Sequence, residues 1–76
     1  MLTVYYDGKC GLCRREIEYY KRVAPADQFV WLDIATDPAG LADLDVSQAD
    51  ALRRLHARDS FGNTYVGVAA FIAIWQ

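Results

Sequence analysis

The sequence predicts a mixed α/β fold: a β-α-β unit followed by short helices, a β-hairpin and a C-terminal helix. Three observations carry that prediction. Two short runs rich in apolar, β-branched and aromatic residues, at 2–6 and 29–34, bracket a segment whose apolar residues recur at helical spacing. A second pair of short runs encloses the turn signal Gly62-Asn63. Finally, 76 residues leave room for one domain only, and with 54% of them apolar a single small core is enough to organise the chain.

The elements follow in order. Residues 2–6, LTVYY, stop at Asp7-Gly8, as a buried strand running into a turn does. Over 11–23 the period changes: Cys13, Ile17, Tyr20 and Ala24 share a helical face, while Arg14, Arg15, Glu18 and Arg22 lie elsewhere on the wheel. Arg14 with Glu18 and Glu18 with Arg22 are opposite charges at i,i+4, each contributing about 0.3 kcal/mol on an exposed face. Pro25 ends this helix by disfavouring helical backbone at Ala24. The run FVWLDI at 29–34 is nearly all apolar and reads as a strand covered on both faces, parallel to the first. Asp37 suits an N-cap and Pro38 a first helical position, so a short helical turn follows. SQAD at 47–50 is a loose capping box opening a helix to about Arg54. Residues 55–59 and 64–67 form the arms of an antiparallel hairpin, with Gly62 and Asn63 able to take positive φ between them. In the last segment Val68, Phe71, Ile72 and Trp75 share a helical face, and so short a helix must dock to persist.

Charge and hydropathy exclude some roles. Eight Lys and Arg against ten Asp and Glu give a net charge of −2 without a basic run, so nothing favours nucleic acid. The N-terminus has neither a basic leader nor a small-residue cleavage site, and the apolar tail at 66–75 is about half the length of a membrane-crossing helix. The expectation is a cytoplasmic protein with no membrane partner.

Cys10 and Cys13 are the two cysteines of the chain, and they stand where the first strand feeds the first helix. A C-x-x-C pair at that place in a β-α-β unit is a thioredoxin-like redox signature. A sulfur on the first helical turn meets unsatisfied N–H groups and the positive end of the macrodipole, which favours thiolate, and Lys9, Arg14 and Arg15 are expected to push the same way. Cys13, a turn deeper on the face of Ile17 and Tyr20, is expected to be less exposed and less ionised. On this reading Cys10 attacks a partner disulfide and Cys13 resolves the mixed disulfide, with Gly11 leaving room for the partner's backbone and Leu12 offering an apolar contact.

Other readings compete. As a brace, a ring of about four residues removes only roughly 2 kcal/mol of unfolded-state entropy, and a reducing compartment keeps it open. Zinc needs about four ligands. The chain offers Cys10, Cys13 and His56, so Asp7 or a dimer would have to complete the set. A non-catalytic module using the pair as a redox-sensitive surface is a further alternative. Asp7 either accepts the proton of Cys13 during resolution or simply shapes the Asp-Gly turn. His56 reads as a partly solvated strand residue, or else as lining the redox site; Trp31 and Trp75 read as core or interface residues. The pairs Arg53-Arg54 and Asp43-Asp45 read as solvated faces.

The segments YYDGKCGLCRREIEYY, FVWLDIATDP and LRRLHARDSFGNTYVGVAAFIAIW together closely resemble the DCC family of predicted thiol-disulfide oxidoreductases, over almost the whole chain. The resemblance puts the family's Asp on Asp7, its cysteines on Cys10 and Cys13, its His-containing strand on 55–59, and the Gly and Ala near the last helix on Gly67 and Ala70. It implies one thioredoxin-like domain over 1–76 that exchanges electrons with a protein or small-molecule disulfide, needing no cofactor and no metal. Two departures matter. No proline precedes the third strand, since Pro25 and Pro38 are the prolines present, so substrate docking is expected to differ. The family usually continues beyond the last residue here, so the final helix is expected to be cut short, leaving Phe71, Ile72 and Trp75 able to pair in a homodimer.

Overall fold

The computed structural model describes residues 1–44 and 46–75. Strands β1 (Leu2–Tyr6), β2 (Phe29–Asp33), β3 (His56–Arg58) and β4 (Thr64–Val66) form one sheet in the order β2-β1-β3-β4. β1 runs parallel to β2, from Leu2 opposite Phe29 to Tyr6 opposite Asp33, and antiparallel to β3, which makes the antiparallel hairpin with β4. The remaining elements are helices α1 (Gly11–Val23), α2 (Gln48–Arg53) and α3 (Val68–Trp75), with 3-10 turns at Ala26–Gln28 and Pro38–Asp43. The β-α-β unit, the hairpin and the final helix are thus present as expected, in a mixed α/β architecture compatible with a thioredoxin-like fold.

The period of two along β1 divides the core. Val4 and Tyr6 pack with Ile17 and Tyr20 of α1, Ala57, and Ala70 and Ile74 of α3. Tyr5 points the other way, against Ile34, Leu41, Leu44 and Ala51. Val4, Ile17 and Ile34 are sealed from solvent, and each such side chain contributes about 1.5–3 kcal/mol by burial. β1 is therefore the axis to which both layers are attached, and the chain segment leaving its end is held firmly at its start.

Local signals set most boundaries. α1 ends at Val23 because Ala24 is extended (φ −84°, ψ 149°) ahead of Pro25. Ser47 Oγ accepts the Asp50 N–H at 3.2 Å and opens α2, while Asp50 pairs with Arg53 (3.6 Å) instead of closing the box. Pro38 begins the 3-10 turn after Asp37, whose side chain makes no capping bond. Gly62 takes φ +88° at the hairpin turn, whereas Asn63 does not go positive.

Several expectations are corrected. β2 is an edge strand and is half-buried throughout, not covered on both faces, with Phe29 stacked on Trp31 at 5.2 Å. His56 is buried, because β3 lies between β1 and β4; its Nδ1 donates to the Arg54 carbonyl at 2.8 Å, so that nitrogen carries a proton. On α3 the core face is Ala70 and Ile74, since the small Ala70 lets the helix approach the sheet. Val68, Ile72 and Trp75 are exposed and Phe71 is half-buried. On α1 Glu18 meets Lys21 (3.9 Å) and not Arg14 or Arg22; Arg22 lies over the Tyr19 ring. Trp31 packs against the core, whereas Trp75 is 66% exposed. Arg53 and Arg54 are exposed as expected. Asp45, and with it the acidic pair, lies outside the described residues. Among the described residues no helix is long and apolar enough to cross a membrane.

Candidate functional site

The turn from β1 into α1 presents both cysteines. Asp7 shapes it: its carboxylate accepts the Lys9 N–H at 3.0 Å and its carbonyl accepts the Cys10 N–H at 3.3 Å. Cys10 is the N-cap of α1, with extended backbone (φ −81°, ψ 114°). Its carbonyl accepts the Arg14 N–H (2.8 Å), the first bond of the helix, and its Sγ accepts the Cys13 N–H (3.4 Å). A sulfur here does what a Ser or Asp oxygen usually does at an N-cap. Both cysteines are free thiols.

The two sulfurs differ in acidity. The Cys13 thiol donating to Cys10, reinforced by the Cys13 and Leu12 N–H groups, holds Cys10 below the usual thiol value, against opposition from burial and Asp7. The same contact holds the proton on Cys13, which is pushed up to about 11 with help from burial and from the negative charge of Cys10 and Asp7. The expected order of ionisation therefore stands, but two of its supports do not. Lys9, Arg14 and Arg15 are not among the groups that act most strongly on Cys10. Exposure also runs the other way: Cys10 is half-buried and Cys13 exposed. The buried face of α1 starts only at Ile17, one turn beyond Cys13. Cys13 nevertheless borders a groove, which is consistent with burial acting on its proton.

That groove, about 690 Å³ and mostly apolar, runs past Leu12, Cys13, Tyr20, Leu55, Phe71 and Trp75. Val68, Phe71 and Trp75 of α3 thus line the groove beside Cys13, with Phe71 also packed against the core. Leu12 is 72% exposed, and space around Gly11 is open enough for a Cβ to meet nothing within 4 Å. Asp7 borders the groove as well, yet among the described residues it makes no hydrogen bond to either sulfur. His56 does not line the groove. Among the described residues no three of His, Cys, Asp and Glu converge as a metal site would require.

Sequence reasoning missed Asp33. This carboxylate ends β2 beside the end of β1 and accepts the Gly8 N–H at 2.9 Å and the Ala35 N–H at 3.0 Å. Burial would raise its pKa, but the N–H groups of Gly8, Ala35 and Thr36 together hold the carboxyl below its usual range. An added Cβ on Gly8 would overlap the Asp33 carboxylate, so any other residue there would have to displace that carboxylate. The available signal was an Asp closing an apolar strand that runs parallel to the strand feeding the cysteines.

A family model described as DCC1-like thiol-disulfide oxidoreductase matches residues 4–76. Neither the curated proteins nor the solved structures yielded a match.

Proposed function

The chain belongs to the DCC1-like thiol-disulfide oxidoreductase family, and from that premise we propose that it transfers two electrons from Cys10 and Cys13 to a partner disulfide. The observation that carries this reading is the Cys10 sulfur at the head of α1, accepting an N–H that favours its anion. The Cys10 thiolate attacks one sulfur of the partner, forming a mixed disulfide and expelling the partner's other sulfur as a thiolate, which takes a proton from solvent. Cys13 then gives up its proton and attacks Cys10 Sγ. The partner's remaining sulfur leaves as a thiolate and takes up the proton that Cys13 released, by way of solvent, so the partner gains two electrons and two protons while the pair becomes a disulfide.

The proton of Cys13 is the difficult one, since in the dithiol it is held by Cys10. Once Cys10 is bonded to the partner its negative charge is gone, and Cys13 ionises more readily. Asp7 suits the role of turn residue better than that of proton acceptor. The apolar groove beside Cys13 supports a partner, protein or small molecule, with an apolar group next to its disulfide. The two sulfurs carry the electrons, so the reading calls for no cofactor. A cytoplasmic thiol pool would return the pair to the dithiol.

The test is trapping. The Cys13→Ser protein, mixed with oxidised glutathione, should accumulate a glutathione adduct on Cys10, and the Cys10→Ser protein should react far more slowly. Equal adduct formation on either single-cysteine protein would overturn the assignment of attacker and resolver. An intact dithiol that reacts no faster than free cysteine would favour a passive redox-sensitive surface.

A further inference from the structure

The turn that carries Cys10 is short, and its internal bonds cannot by themselves decide where it sits. Asp7 to Lys9 and Asp7 to Cys10 are bonds within the turn. The Gly8 to Asp33 bond spans 25 residues and ties the turn to β2. On its other side Asp33 is held by the chain that follows it: its carboxylate accepts the Ala35 N–H, and its carbonyl accepts the Asp37 N–H at 3.0 Å and the Thr36 hydroxyl at 3.4 Å. The parallel register delivers it, because Asp33 pairs with Tyr6, two residues before Gly8. The fit is tight: a Cβ at Gly8 would overlap the Asp33 carboxylate, which would have to move.

We propose that Asp33 is a positioning residue for Cys10, its carboxylate fixing Gly8 so that the Cys10 sulfur stays over the first turn of α1. The inference deepens the proposed function and rests on Cys10 being the attacking thiol. Without the Gly8 bond the turn is free to shift, and a misplaced sulfur loses the Cys13 N–H that it accepts. The titratable groups that bear on Cys10 are Cys13 and Asp7, and neither is altered by a change at position 33.

The experiment reads ionisation and not turnover, so it can fail while the proposed function stands. The rate of Cys10 alkylation by iodoacetamide is followed against pH in the parent and in the Cys13→Ser background, with circular dichroism checking the fold. Asp33→Asn keeps an oxygen acceptor for Gly8. Asp33→Ser is too short to reach Gly8, while its hydroxyl can still bond the nearby Ala35 N–H. Asp33→Ser should move the midpoint up by about half to one pH unit, a loss of about three- to tenfold in rate below the midpoint, with Asp33→Asn close to the parent. A purely electrostatic role has the opposite sign, because removing a negative charge in both variants would move both midpoints down. Equal shifts in the two variants, in either direction, or no shift in a folded Asp33→Ser protein, overturn the proposal. If Asp33→Ser does not fold, amide exchange in the parent decides: Gly8 must be strongly protected, and a Gly8 amide exchanging as fast as an exposed one also overturns it.

Discussion

Two turns in this small protein are organised by aspartates, and they are built on opposite plans. In the hairpin between β3 and β4, Asp59 accepts the N–H groups of Phe61 and Asn63, the Asn63 Nδ2 and the Tyr65 hydroxyl, all at 2.9–3.0 Å and within six residues. In the thiol turn, the carboxylate that grips Gly8 comes from another strand, 25 residues away. The Asp59 bonds are all local, although Ser60 in the same turn also bonds Met1. The thiol turn is correctly placed only once β2 has paired with β1, so its geometry depends on tertiary structure. A local turn suits a connection, and a long-range one suits a site whose reactive atom must sit in one place relative to the sheet.

That contrast can be pressed experimentally, beginning with the glycines. Gly8→Ala forces a Cβ into the Asp33 carboxylate and should cost about 1–3 kcal/mol in urea unfolding, while also raising the Cys10 alkylation midpoint. Gly62→Ala places a side chain at φ +88° in open surroundings. It should cost about 1–2 kcal/mol and leave the midpoint where it was. If both variants shifted the thiol equally, the two turns would not be independent.

Acid should separate the turns next. The Asn63 side chain, then the backbone N–H groups and the Tyr65 hydroxyl, hold the Asp59 carboxyl down at about 2, despite some opposition from burial. Its folded value lies below its unfolded one, so the stability it contributes is fully present above about pH 4 and is lost as pH falls toward 2. Asp59→Asn should flatten that part of the stability curve, measured as melting temperature between pH 5 and 2, without changing alkylation of Cys10. For the cysteines the windows are alkaline. The Cys13 contribution, with its folded value raised to about 11, is present below the free-thiol value and lost as pH rises through 11. The Cys10 contribution has the opposite sign, being present above the free-thiol value and lost as pH falls through its lowered one.

The smallest effect should come from the cations around the pair. Lys9→Gln and Arg14→Gln remove charges that are not among the strongest influences on Cys10, so each should move the alkylation midpoint less than Asp33→Ser does. A larger shift from either would return the control of Cys10 to surface charge and away from the capping geometry.

The same local and long-range division governs what could be read from the sequence. The bounds of β1 and α1, the Ser47 cap, the Gly62 turn and the placing of Cys10 at a helix start are all written in residues a few positions apart. Asp33 was invisible because its importance depends on the ends of two parallel strands lying together. His56 was misjudged because only the sheet order makes β3 an interior strand. The face of α3 was misjudged for a related reason: a helical wheel ranks bulk, but the sheet accepted the small Ala70, leaving Phe71 and Trp75 to line the groove beside Cys13.

On the proposed redox role, a cap made of sulfur couples folding to electron transfer through one thermodynamic cycle. In the reduced chain the Cys10 sulfur caps the start of α1, where the amides favour its ionised form, whereas a sulfur already shared with Cys13 has no charge to offer those amides. Whatever free energy the helix gains from that anion is therefore also a bias toward the dithiol, so the disulfide form is a stronger oxidant than two cysteines of ordinary acidity would make.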